Sequence, residues 1–173
     1  MTGHCKLWSN AMTHYDISTI ADLVDGRLEW PQLKAMMSNF KDPDRFDKYI
    51  AVLQERVPWD DQILLPLGPH LFIVRKADGS IVTKSRSGYE FGDYRQNWKL
   101  KARIRVRDTE ASLQELYPAM MHCTPGWMEL REYIDPLDGT LLEVEAVPPG
   151  YPIVHSFQPD LETFYREWLG REL

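Results

Sequence analysis

The sequence predicts an α+β fold: short N-terminal helices, a small antiparallel sheet carrying knuckle-like turns, and a C-terminal amphipathic helix. Three observations carry that reading. Up to Val57, apolar residues recur three and four apart, the spacing of one helix face. From Leu71 to Val147, short β-rich runs alternate with Gly, Pro and Asp turn clusters. From Asp160 to Gly170 the helical spacing returns.

Residues 1–15 have little pattern and are expected to form a loose start. "DISTIADLVDG" then places Ile17, Ile20, Leu23 and Val24 on one helical face, with Gly26 suited to a left-handed stop. In "EWPQLKAMMSNF", Pro31 fits a first helical turn, and Leu33, Met36, Met37 and Phe40 form the stripe. "DPDRFDKYIAVLQERV" is expected to open with Asp42 as N-cap and Pro43 as the first helical residue. Phe46, Tyr49, Ile50, Leu53 and Val57 form its stripe. Together these make a helical lead-in over residues 16–57.

Past Pro58 the pattern changes. "LPLGPH" reads as a rigid turn. "HLFIVRKADGSIVTK" reads as a hairpin around Asp78-Gly79. "LKARIRVR" alternates strictly, with Leu100, Ala102, Ile104 and Val106 on one side and Lys101, Arg103, Arg105 and Arg107 on the other. "DTEASLQELY" reads as a short helix capped by Thr109 and closed before Pro118. "MELREYI" and "TLLEVEAV" are strands around "DPLDG". In "PDLETFYREWLG", Asp160 caps a helix whose Leu161, Phe164, Tyr165, Trp168 and Leu169 face a core or a partner, and Gly170 ends it. The chain reads as a single domain, 1–173, with residues 63–173 forming the β-rich part and C-terminal helix.

The bulk composition narrows the function. The chain has 173 residues, is 43% hydrophobic and 27% charged, and so is expected to fold around a core of its own. A net charge of −6 argues against nucleic-acid binding through bulk positive charge. Two cysteines, Cys5 and Cys123, are too few for a disulfide framework and fit a reduced, cytoplasmic setting. No apolar leader and no run of 18 apolar residues is present, so neither secretion nor membrane insertion is expected.

Few residues suggest chemistry. The basic row of "LKARIRVR" reads as a solvated sheet face, its charges met across strands by Glu143 and Glu145; binding of an anion or an acidic partner is the sharper alternative. No two histidines have the spacing of helical metal ligands, and no phosphate loop, dinucleotide fingerprint or nucleophile elbow occurs. His122 and Cys123 are adjacent and would point apart on a strand, so each reads as a satisfied or surface residue; a metal site or a Cys–His catalytic pair built from them is the sharper alternative. No catalytic residue and no cofactor-binding residue is assigned. Aromatics set beside Pro or Gly (Trp127 in "PGWM", Tyr151 in "PPGYP") and Tyr165 and Trp168 on the last helix are candidate interface anchors. "DPLDG" has the spacing of a zinc knuckle, yet Asp135 and Asp138 stand at the two ligand positions.

Longer stretches settle into a pattern. "LQERVPWDDQILLPLGPHLFIV", "FGDYRQNWKLKARIRVRDT", "LYPAMM", "PGWMELREY" and "GTLLEVEAVPPGYPIVHSFQPDLETFYREWLG" resemble, in that order, the gamma subunit of acetone carboxylase. The resemblance runs from about Ile20 to Gly170. It implies a small, non-catalytic structural or interface subunit in a cytoplasmic hetero-oligomer with two larger subunits of alpha and beta type. Such complexes carboxylate a ketone with bicarbonate, driven by ATP, and form a C–C bond as ligases. ATP and the divalent metal are then expected on the larger subunits. The alternative is a free-standing binding or regulatory module of the same fold.

The resemblance also implies a cysteine-rich metal site in many members, with one Cys-x-Cys-Gly-His-type knuckle followed by a further Cys, and one Cys-Pro-x-Cys-Gly knuckle. Here Ser85, Ser87, Tyr89 and Gly92 stand at the first set of positions, and Asp135 and Asp138 at the second. The zinc-ribbon-like knuckles are therefore degenerate, and no zinc is expected, because structural zinc is held by thiolate and imidazole. Hydrogen bonds from Ser85 or Arg86 to Asp135 or Asp138 are the expected substitute. A weak hard-cation site at Asp135 and Asp138 is the sharper alternative. Which ketone or related substrate is served is left open.

Overall fold

The computed structural model describes residues 14–39 and 42–173. The expectations for Cys5, for Phe40 and for most of the loose start fall outside them. The chain divides into two compact units, one up to Val57 and one from Pro58 onward.

The first unit holds α1 (Ile17–Val24), α2 (Trp30–Ser38) and α3 (Arg45–Gln54). Ile20 on α1 and Val52 and Leu53 on α3 are buried. Arg56 clasps both oxygens of Asp25, at 2.9 and 2.7 Å, and ties the end of α1 to the end of α3. The stripe on α2 is covered only in part: Leu33 and Met36 are half-buried, Met37 is exposed, and no residue of this helix is fully buried. Periodicity reveals an apolar face but not what covers it. The third helix also starts later than expected. Asp42 is not its N-cap; Asp44 holds that position. The Asp42 carboxylate is buried and accepts from the Tyr15 amide at 2.9 Å and the Lys48 ammonium at 2.6 Å. A long-range tie has displaced local capping. It also fixes Tyr15, which the sequence placed in the loose start.

The second unit contains two antiparallel sheets where one was expected. β1 (Gln62–Gly68), β2 (Leu71–Arg75), β3 (Ile81–Ser85) and β4 (Glu90–Asp93) pair in that order. β5 (Arg103–Arg107), β6 (Glu129–Ile134) and β7 (Leu141–Val147) form the other sheet. The hairpin at Asp78-Gly79 forms, with Gly79 at φ +84°, a value glycine adopts without a Cβ penalty. "LPLG" is not a turn. It completes β1, an edge strand with register shifts on both sides of the Leu65–Pro66 pair, where a proline costs no ladder bond.

The alternating run from Leu100 becomes strand only at Arg103. Residues Trp98–Lys101 form a 3-10 turn, its start closed by the Asn97 side chain accepting from the Lys99 amide at 3.2 Å. The apolar side of β5 is not a buried side: Ile104 and Val106 are exposed, whereas Arg107 is buried. The expected partners of the basic row also change. β6 lies between β5 and β7, so Glu143 and Glu145 are out of reach of the arginines. Arg105 stands opposite Glu132 on β6, and Arg107 donates to Glu132 at 2.9 Å and to Glu115 at 2.8 Å.

α4 (Glu110–Gln114) has the expected Thr109 cap, completed as a box by Ser112. α5 (Leu161–Thr163) is capped by Asp160, which accepts from the Thr163 amide at 3.1 Å, and runs into a π-helical turn, Phe164–Trp168. The wider turn takes Trp168 off the buried face. Leu161 and Tyr165 are buried, and Trp168 is 78% exposed. Among the described residues no helix is long and apolar enough to cross a membrane.

Candidate functional site

The second unit is joined through an aromatic column. Phe91 of β4 meets Trp98 edge-on at 5.6 Å, and Trp98 meets Tyr133 of β6 at 5.9 Å. Tyr89 extends the column, with its ring 4.9 Å from Phe91. Edge-to-face contacts of this kind add to the area each ring buries. Leu71 of β2 completes the buried cluster.

Beside that column lie the positions at which metal ligands were considered. Ser85 ends β3 and is fully buried. A tight turn follows, with Gly88 at φ +105°, and returns the chain so that the Ser85 amide donates to the Tyr89 carbonyl at 2.9 Å. The Ser85 hydroxyl accepts from the Tyr89 amide at 3.1 Å and shares a 2.9 Å hydrogen bond with the Ser87 hydroxyl. Ser87 donates to Asp135 Oδ2 at 2.7 Å. Asp135 follows β6 and is 1% exposed; its other oxygen accepts from the Leu137 amide at 2.8 Å. Ser85, Ser87 and Asp135 thus form a hydrogen-bonded clasp between the end of β3 and the end of β6.

This donor set does not fit zinc. It offers neutral hydroxyls and a single carboxylate where a closed structural site takes thiolate and imidazole. Asp138 turns away: it is exposed, and its carboxylate accepts from the Thr140 amide at 2.9 Å, which holds its pKa below the usual carboxylate range. Gly92 sits at φ +93°, a backbone conformation that disfavours any side-chain ligand. Of the six positions, three form the clasp, Tyr89 contributes its backbone and ring, and Asp138 and Gly92 stand apart. Arg86 contributes its backbone: its amide donates to the His70 carbonyl at 2.9 Å, and its carbonyl accepts from Trp59 Nε1 at 3.2 Å.

Two other clusters hold titratable groups. In the first unit, His14, Asp42 and Asp44 bring potential ligand atoms within 4.8 Å of one another. The Lys48 ammonium already stands among them, 2.6 Å from Asp42, 2.9 Å from Asp44 and 3.4 Å from His14. In the second unit, Lys99 is fully buried. Its ammonium donates to Glu143 at 2.6 Å, to Glu145, and to the Ser156 hydroxyl at 3.0 Å. Tyr133 donates to Glu145 at 2.6 Å. Burial, reinforced by the Glu145 carboxylate, pushes the Tyr133 phenol up to about 12. Sequence reading missed Lys99, because its partners lie more than forty residues away and no local spacing links them.

His122 and Cys123 do not make a catalytic pair. The His122 ring pairs with the Cys123 carbonyl at 2.9 Å and with Glu110 at 3.0 Å, whereas the thiol donates to the Met128 carbonyl at 3.6 Å. Among the interface candidates, Trp127 and Trp168 are largely exposed and Tyr151 is half exposed. Tyr165 instead serves the core: it is buried, and its hydroxyl donates to the Leu64 carbonyl of β1 at 2.9 Å.

Comparison with known proteins points one way. The family model described as acetone carboxylase gamma subunit matches residues 57–169. The acetone carboxylase gamma subunit of Xanthobacter autotrophicus strain Py2 is 51% identical over 157 residues, covering 90% of this chain and 94% of that protein.

Proposed function

The chain belongs to the acetone carboxylase gamma subunit family, and from that premise we propose that it is the small, non-catalytic subunit of an acetone-carboxylase-like, ATP-dependent ketone carboxylase complex. The observation that carries this reading is the 51% identity sustained over nearly the full length of both chains. Its partners are two larger subunits of alpha and beta type, and the complex works in the cytoplasm. ATP and a divalent metal act on those larger subunits, where the carboxyl group is activated and the C–C bond forms. This chain contributes a folded body that needs no thiolate-bound metal, with Trp127, Tyr151 and Trp168 as contact residues.

The test is recovery of the tagged chain from its native cells, followed by mass spectrometry of what accompanies it. Two larger carboxylase subunits, and ATP-dependent ketone carboxylation that falls when this chain is omitted from reconstitution, are the expected outcome. A chain recovered alone from cells that are using the pathway overturns the reading and leaves a free-standing module of the same fold.

A further inference from the structure

The segment from Leu116 to Met128, "LYPAMMHCTPGWM", contains no Asp, Glu, Lys or Arg, in a chain that is 27% charged. It belongs to no helix or strand and connects α4 to β6. An uncharged surface loop should fold its apolar side chains inward, yet this one turns them out. Met120 is 98% exposed, Trp127 80% and Met121 73%, and Leu116 and Tyr117 are nearly half exposed. Together they present roughly 700 Å² of accessible surface, close to the area of about 800 Å² per partner in a standard protein interface.

The loop is held in this shape. The Met121 amide donates to the Pro118 carbonyl at 3.0 Å, and the Trp127 amide to the Thr124 carbonyl at 3.1 Å. His122 folds inward and pairs with Glu110. Met120 is the one non-glycine among the described residues with a left-handed backbone, at φ +67°. Strain of this kind persists where the surroundings over-determine it, and it gathers at binding elements. A loop already ordered loses little conformational freedom on docking. Flexible methionines beside a rigid tryptophan suit an apolar pocket. Glu115 and Glu129, at its two ends, are already paired, the first with Arg105 and Arg107 and the second with Arg131, and the segment itself has no Lys or Arg to offer an anionic lipid surface.

We propose that this segment is the element that seats the chain on a larger subunit of the carboxylase, with Met120, Met121 and Trp127 entering an apolar pocket there. The proposal rests on the subunit reading above.

The experiment uses the full-length tagged chain in its native cells. A photoreactive residue is introduced as Met120→p-benzoylphenylalanine and, at the far hairpin, as Asp78→p-benzoylphenylalanine. A second chain carries Met120→Glu and Trp127→Glu, with its thermal unfolding compared with that of the unaltered chain. Crosslinking from position 120 but not position 78 to a mass-identified larger carboxylase subunit is expected. So is at least a tenfold loss of co-purified subunits in the double variant at an unchanged unfolding midpoint. Undiminished co-purification, or crosslinks from position 120 to lipid, to a second copy or to nothing, overturns the proposal and leaves the subunit reading standing. If the unaltered chain brings down no larger subunit, both readings fall.

Discussion

Replacing Asp135 by alanine tests whether the clasp between β3 and β6 holds the second unit together without metal. The substitution removes two acceptors at once: the oxygen bonded to Ser87 at 2.7 Å and the one bonded to the Leu137 amide at 2.8 Å. Hydrogen bonds to a charged group contribute about 1.5–3 kcal/mol each, and removing the buried charge recovers part of that through its desolvation. A net loss of about 2–4 kcal/mol is expected. For a chain of this length that lowers the thermal midpoint by roughly 5–15 °C. Ser87→Ala breaks one of the two bonds to Asp135 and the bond to Ser85 but leaves the Leu137 amide its acceptor, and should cost about 1–2 kcal/mol. The two residues touch, so the double variant should fall short of the sum by about 1 kcal/mol or more. The assay is urea unfolding followed by tryptophan fluorescence, with thermal scans in the presence and absence of EDTA. Chelator should leave the midpoint where it is. An Asp135→Ala chain within about 0.5 kcal/mol of the unaltered protein, or an EDTA-dependent loss of stability, would refute the reasoning.

Three further outcomes are expected. Lys99→Met should destabilise the chain by about 3–5 kcal/mol in urea unfolding, because it leaves the Glu143 and Glu145 carboxylates facing one another without their cation; a loss below about 1 kcal/mol would show the network to be dispensable. The Tyr133 phenol is raised from 10.0 to about 12, so its contribution is complete below pH 10 and is lost as pH rises through 12; ultraviolet titration should show Tyr133 ionising well after the exposed tyrosines, and Tyr133→Phe should shrink that late signal, leaving the part due to Tyr49, which its own burial raises. For Asp42, burial pushes the carboxyl up, but the Lys48 ammonium and the Tyr15 amide that donate to it outweigh the burial and hold it well below 3.8. Its stabilisation is therefore present above pH 3.8 and fades as pH falls below it. Asp42→Asn should abolish that acid-side loss in the helical signal of the first unit, and an unchanged acid limb would sink the assignment.

The elements were legible where one local rule decided them. The Asp78-Gly79 hairpin, the Thr109 cap and the Asp160 cap each rest on residues no more than three apart. The misreadings share a cause, which is a distant partner. Asp42 looked like an N-cap until Tyr15 and Lys48 took its carboxylate. Glu143 and Glu145 looked like partners of the arginines until β6 came between them and Lys99 claimed both. Tyr165 looked like a docking residue because helical spacing cannot distinguish a core-facing stripe from a partner-facing one; its bond to Leu64 spans 101 residues. At the knuckles, residue types alone argued against zinc. That Ser87, in place of the expected Ser85 or Arg86, donates to Asp135 depended on the turn geometry set by Gly88.

A pair of turns can close without thiolate-bound metal only if the fold has its main support elsewhere. Structural zinc contributes about 10–16 kcal/mol in small finger peptides, several times what the hydrogen bond between Ser87 and Asp135 supplies. Very small domains fail without such a staple because they lack a core. The second unit is not in that position. Its two sheets are tied by contacts that need no metal, the Phe91–Trp98–Tyr133 column and the Lys99 bonds to Glu143 and Glu145. Both ties pass through the 3-10 turn at Trp98–Lys101, which sits between β4 and β5 and reaches β6 with one side chain and β7 with the next. With that turn in place, the ends of β3 and β6 are already brought together, and closing the remaining gap requires only a hydroxyl and a carboxylate of matching length. The clasp therefore refines a junction that the core has formed. In this chain, then, serine and aspartate suffice at that junction.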